Sequence, residues 1–386
     1  MKTHFSQNIT LENWIEPENN RWAFRHTCDL ISTEVIARGS DTICEISKNF
    51  DDFGAVEFTK SNGCKTDVES LIRESFTDGF LVLHRGVAVH ETLCEGFDRS
   101  DRHIVFSITK SVVGMLAGIL VHQGLFSRND LASDFIPELD RSGWAGATIG
   151  NILDMTSGVD FQEDYQDRSS KYWELRRALY HQTDEAGERT FEGILDFLPS
   201  IGTHGSHGRE FNYQSVETLV LCWIIERTTG RRLAGLIESE IWSKLGAEHD
   251  GYIMLDPKGV AYGAGGLCTS VWDLARFGQM VANYGSLNGA QIVPEEWVVQ
   301  SSAGDPRTFE RSTYAKRIPN GAYKNQWWIK DSTACQPMAL GIHGQMIYID
   351  RAKDMVGVKM SSWPAARQHE MLEDTISAFE AIAESL

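Results

Sequence analysis

The sequence predicts an α/β protein of the α+β kind: a mostly antiparallel sheet flanked by helices, with an all-helical segment inserted. Two strand-turn-strand patterns lie far apart in the chain, around Arg85-Gly86 and around Arg351–Asp354. Between them the apolar residues recur at helical spacing. A third observation is the helical pattern that closes the chain. Strands near both ends with helices between them imply one sheet assembled from distant segments, whose short connections favour antiparallel pairing. The expected units are residues 1–125 with 260–386 for the α/β part and 126–259 for the helical part.

The elements follow in order. The first sixty or so residues are polar and irregular, and Leu71–Ser75 carries a short helical pattern. Phe80–His84 and Val87–Glu91 flank Arg85-Gly86, the signature of a tight β-hairpin. Ser107–Gly124 reads as one helix. Ser215–Gly230 reads as another, with Val216, Leu219, Val220, Trp223 and Ile224 at helical spacing and a glycine stop. Leu233–Leu245 and Val271–Tyr284 are further helices. Gln345–Asp350 and Met355–Met360 form a second hairpin, and Gln368–Ser385 is the final helix.

Composition narrows the function classes. At 386 residues, with 42% hydrophobic and 23% charged residues, the chain can bury a large core. A formal net charge of −18 repels phosphate backbones and acidic membrane surfaces alike. Eleven Trp residues suit a protein with apolar clefts. Seven scattered cysteines with no C-x-x-C pair suggest reduced thiols rather than disulfides or a zinc site. The N-terminal residues lack the apolar core of a signal peptide, and no segment is long and apolar enough to span a bilayer. A cytoplasmic protein is expected; a homodimer is compatible with the sequence. His204 and His207 lie in a glycine-rich loop with no further ligand at metal spacing, so the loop is expected to rim a pocket and no metal or cofactor is required.

Chemistry concentrates in Ser107-Ile108-Thr109-Lys110, at the start of the long apolar helix. Positions three apart share a helix face, so the hydroxyl and the amine can meet. A desolvated, more easily deprotonated lysine can take the serine proton. The helix start also offers backbone N–H groups to a developing oxyanion. A serine at a helix start can equally be a simple N-cap. Tyr213, in Phe211-Asn212-Tyr213-Gln214-Ser215, is the candidate proton shuttle, with a phenol pKa expected to be lowered by a neighbouring protonated lysine. The structural alternative is a half-buried tyrosine at a helix start, with Ser215 as the cap.

The order S-x-x-K, then Y-x-S about a hundred residues on, then a late glycine-bearing strand, resembles the serine β-lactamase and penicillin-binding-protein superfamily. Ala147–Gly158 and Gly265–Gly278 look like further stretches of it. Within the superfamily, Phe211–Ser215 with Ile224–Arg227, Asn325–Trp328, Gly341–Gln345 and Ser361–Pro364 are similar to the 6-aminohexanoate-dimer hydrolases and related carboxylesterases. That resemblance implies a β-lactamase-like fold and an acyl-serine hydrolase of small esters or linear amides. It implies Ser107, Lys110 and Tyr213 as catalytic residues and the N–H groups of Ser107 and Ile342 as the oxyanion hole. Gln345 N–H substitutes for Ile342 if the third-motif glycine is Gly344 rather than Gly341. It also implies Tyr165 closing over substrate and Trp173 lining its pocket.

Some positions depart from the family pattern. Arg168 stands where an acidic residue favours an amine-ended substrate, so an ammonium would meet a cation and a carboxylate would be welcomed. Ala264 replaces a polar residue. Ala339-Leu340-Gly341 lacks the K-T-G cation or hydroxyl that anchors a β-lactam carboxylate, with His343 nearby but offset. Small uncharged esters or amides are therefore expected to fit better than β-lactams. The alternatives are a β-lactamase or D-amino-acid peptidase, and a non-catalytic binder retaining the fold.

Overall fold

Seven strands form the central sheet, in the order Ala322–Lys324, Trp327–Asp331, Gln336–Gly341, Gln345–Asp350, Met355–Ser361, Thr77–His84, Val87–Leu93. The computed structural model describes residues 9–39, 42–180, 182–183 and 187–386. Every neighbouring pair in this sheet is antiparallel. The two predicted hairpins lie side by side in it, the first forming one edge. At the first turn Arg85 and Gly86 both have positive φ (51° and 75°), as a type I′ turn requires.

Alternation along the strands sends side chains to two opposed cores. Phe80, Val82, Met346 and Tyr348 face the closing helix, His369–Ser385, whose Phe379 stacks on Phe80 at 4.9 Å and on Tyr348 at 5.4 Å. Leu81, Leu83, Ile347 and Val356 face the Val271–Ala282 helix and the larger core.

The chain departs from the one-sheet expectation. A second, four-stranded sheet joins Thr33–Ile36, Gly251–Met254, Leu267–Thr269 and His103–Ile104 in that order. Thr33–Ile36 has one fully buried residue in four, so its alternation is too short to read in a segment that otherwise looks polar. Leu233–Leu245 is not one α-helix: Leu233–Ile237 is α-helical and Glu238–Trp242 continues as a π-helix. Helical periodicity alone does not distinguish those two windings.

The Ile108–His122 helix is buried on nearly every side. Two glycines permit this. A Cβ at Gly114 would run into the Asn325 carbonyl, and one at Gly118 into the Trp297 indole, whose Nε1 donates to Gly114 O at 3.0 Å. Gln326 then locks three helices together. Its carbonyl accepts from Ser111 Oγ (2.9 Å), its Oε1 from Thr218 Oγ1 (2.6 Å), and its Nε2 donates to Ile152 O and Leu153 O (3.1 and 3.2 Å). Among the described residues no helix is long and apolar enough to cross a membrane.

Replacing Gly114 by alanine gains about 1 kcal/mol of helix propensity but forces a methyl into a backbone carbonyl. The overpacking cost, typically about 1–3 kcal/mol, outweighs it. Gly114→Ala is expected to lower the urea unfolding midpoint; an unchanged or higher midpoint would show that the Asn325 segment yields.

Candidate active site

Ser107 occupies the N-cap position of the Ile108–His122 helix, but its hydroxyl caps nothing, so it is not spent on the backbone. The preceding residue, Phe106, holds φ at 44°, a conformation that costs free energy outside glycine. Thr109 stabilises this corner: its Oγ1 donates to Phe106 O (2.6 Å) and accepts from Leu267 N–H (3.0 Å). Lys110, 1% exposed, donates from Nζ to Ser107 Oγ at 2.8 Å and to Ala264 O at 2.5 Å. Burial lowers its pKa from 10.5 to about 8, with the Glu163 charge opposing the fall.

Tyr213 precedes the Ser215–Thr229 helix and is buried against Trp328, ring centroids 5.0 Å apart. Lys110 Nζ lies 5.2 Å from the centre of its ring. The expected lowering of the phenol pKa is overturned. Burial drives it well above 10, and the Ser107 hydroxyl opposes this only in part. The reason is geometric and electrostatic: the amine sits over the ring face and is itself easily neutralised, while the phenolate would lose its water. Nor is Ser215 the cap. Gln214 holds that position, and Ser215 donates from N and Oγ to Glu163 at 2.7 Å each. Glu163 also accepts from Tyr165 OH at 3.0 Å.

A third segment completes the arrangement. Gly341 ends the Gln336–Gly341 strand, pairs with Gln345, and packs so tightly that a Cβ would meet Val105 O at 2.5 Å. Ile342, the next residue, shares a cavity wall with Ser107. Gly344 has φ +90° and is closed in by the Trp363 indole. His343 is buried, and its Nδ1 lies 2.7 Å from Trp363 O. A carbonyl only accepts, so the proton is on Nδ1. Burial pulls the His343 pKa down to about 4, which keeps the ring neutral.

Two adjoining cavities, of about 720 and about 80 Å³, meet at Ser107, Tyr165, Tyr213, Tyr314, Ile342 and Arg367. Trp173, Ala264 and His343 line the larger one. Ala264 matters through its backbone, which anchors Lys110. Arg168 does not enter the wall; it is exposed, with its guanidinium 5.1 Å from the centre of the Trp173 ring. The His204–His207 loop does not rim the cavity either. His207 instead accepts from Gly158 N–H through Nδ1 and contacts Ala145 O through Nε2, both at 3.0 Å, tying loops together. Among the described residues no group of acidic, His or Cys side chains is placed to hold a metal.

Sequence reasoning missed Glu163, Arg367 and Arg176 in this wall. Arg176 alone had a readable signal, since Trp173, Arg176 and Tyr180 fall at i, i+3 and i+7 of one helix, Lys171–Tyr180.

The comparisons with known proteins agree with this architecture. The beta-lactamase family profile matches residues 77–378. The chain therefore belongs to the beta-lactamase family of serine hydrolases. It is 32% identical, over 92% of its length and 88% of the relative's, to the 6-aminohexanoate-dimer hydrolase of Paenarthrobacter ureafaciens. A solved Bacillus anthracis protein, provisionally described as a 6-aminohexanoate-dimer hydrolase, superposes with a TM-score of 0.89 at 25% identity, covering 99% of this chain and 98% of that one. A family VIII carboxylesterase shares the fold, with a TM-score of 0.58 at 14% identity, covering 81% of this chain and 97% of that one.

One buried carboxyl braces the Tyr213 helix. Glu217 accepts from Ser157 Oγ and from Trp144 Nε1 (3.1 Å), and burial raises its pKa from 4.5 to about 8. Because the folded pKa is raised, this contribution is complete below 4.5 and is lost as pH climbs through about 8. Glu217→Gln, which mimics the protonated acid, is expected to gain stability relative to the parent between those two pH values. Parallel urea melts at pH 5 and pH 8 measure the difference; equal pH dependence in both proteins would refute it.

Proposed function

We propose that the protein hydrolyses small esters or linear amides through an acyl-serine intermediate, as a 6-aminohexanoate-dimer-hydrolase-like amidase or carboxylesterase. The observation that carries this is a buried amine, easily deprotonated, 2.8 Å from an uncapped serine hydroxyl on a cavity wall. Neutral Lys110 takes the Ser107 proton as Oγ attacks the carbonyl carbon. The backbone N–H groups of Ser107 and Ile342 receive the oxyanion, each such donor being worth about 3 kcal/mol. The tight Val105–Gly341 approach supports Ile342 in that role rather than Gln345.

Tyr213 acts as a neutral phenol. It passes its proton to the leaving amine or alkoxide and recovers one from the lysine. Water then attacks the acyl-serine, loses a proton along the same path, and releases the acid and free Ser107. No K-T-G-type cation meets a β-lactam carboxylate on the third strand, which favours linear substrates.

Ser107→Ala is expected to abolish turnover of nitrophenyl esters and labelling by a fluorophosphonate probe. Tyr213→Phe, which keeps the ring stack, should lower kcat/KM by about 10²–10⁴-fold. Since the neutral amine is the base and its folded pKa is depressed, kcat/KM should rise with pH and level off above about 8. A folded parent that neither labels nor hydrolyses any ester, amide or β-lactam would instead favour a binder.

A further inference from the structure

The Lys171–Tyr180 helix turns one face toward the larger cavity, and Trp173, Arg176 and Tyr180 all line it together with Ser107. Arg176 is only 7% exposed. Its guanidinium lies between aromatic faces, 4.6 Å from the Trp173 ring centre and 5.3 Å from that of Tyr180. Among the described residues no hydrogen bond or ion pair engages it, and its Nε is buried without a partner. Two more donors on the same wall share that condition: the indole N–H groups of Trp173 and Trp14. Trp14 packs on Tyr180 at 6.3 Å and on Phe106, the residue before Ser107, at 6.2 Å. The donors are thus linked by aromatic contacts to the nucleophile.

Burying an unpaired cation is costly, and cation–π contact offsets only part of that cost. Three carboxylates share this wall, and none pairs with Arg176: Glu163 has its oxygens taken by Ser215 and Tyr165, Asp164 Oδ1 accepts from the N–H groups of Gln166 and Asp167, and Glu16 is exposed. Burial keeps the Tyr172 and Tyr180 phenols protonated, so neither supplies a negative charge. What the Arg176 guanidinium lacks is an acceptor-rich anion of its own, and its aromatic flanks suit a planar one.

Resting on the acyl-serine reading, we infer that Arg176, with Trp14 and Trp173, forms a subsite for a carboxylate on the substrate. The preferred substrates are then esters or amides bearing a free carboxylate, held by a charge-assisted, fork-shaped contact rather than by a cation on the third strand. The anionic end is recognised by Arg176 rather than by the exposed Arg168.

The test compares 4-nitrophenyl monoglutarate (carboxylate in the acyl part) and 4-acetoxybenzoate (carboxylate in the leaving group) with 4-nitrophenyl butyrate and phenyl acetate. The parent should favour at least one anionic ester over its neutral counterpart by tenfold or more in kcat/KM. Arg176→Gln should cut that ratio at least tenfold, and Arg176→Lys should restore it in part. Glutarate binding, followed by tryptophan fluorescence and calorimetry, should weaken at least tenfold in Arg176→Gln, with thermal melts confirming that the variant is folded. An unchanged ratio together with unchanged glutarate binding overturns the subsite while leaving Ser107-dependent hydrolysis standing. If no ester is turned over, the acyl-serine reading fails, and glutarate binding alone still decides for or against the Arg176 site.

Discussion

A primary amine held away from water is the constraint on which the rest of this structure turns. Moving the Lys110 pKa from 10.5 to about 8 corresponds to roughly 3 kcal/mol of disfavoured charge. That penalty exists only because the surrounding helix is buried on almost every side, and the burial needs Gly114 and Gly118 to let Asn325 and Trp297 approach. The amine keeps two oxygen partners, Ser107 Oγ and Ala264 O. An amine so placed gives up its proton more readily than an exposed lysine.

The same desolvation sets the protonation of the groups around it. Tyr213 and Tyr165 stay phenols, His343 stays uncharged, and Glu217 is held toward its acid form. Keeping these groups uncharged spares the low-dielectric interior the cost of isolated buried charges. Glu163 is accommodated by three donors, from Ser215 and Tyr165. Arg176 stands out against this background because nothing described neutralises it.

Much of the fold was legible because its long elements carry strong periods. The two hairpins, the Ser107 and Ser215 helices and the closing helix stand close to where their patterns place them. Thr33–Ile36 was hidden because four residues cannot display an alternation, and its partner, Gly251–Met254, lies more than two hundred residues away. The meeting of Ser107 with Lys110 follows from three-residue spacing on a helix. The placing of Tyr213 beside them depends on long-range packing against Trp328, and the sense of its pKa shift on burial, which no local pattern records. Arg168 was misplaced for a related reason: position along the chain does not say which side of a loop faces inward. The Arg176 face shows at helical spacing once the short Lys171–Tyr180 helix is known.

The cavity wall is built from both sides of the family boundary. The beta-lactamase profile begins at residue 77, yet Trp14, Ile15 and Glu16 contribute to the space beside Ser107. This early segment is fastened down by Asn20 Nδ2 on Trp363 O (2.9 Å), by Arg21 on Asp78 (2.9 Å), and by Ile104 N–H on Phe24 O (2.9 Å). The space beside Ser107 is therefore walled in part by polypeptide outside the family-matched stretch. A change in this arm alters the shape of the cavity directly, and it also reaches the corner that holds Ser107 through the Trp14–Phe106 contact.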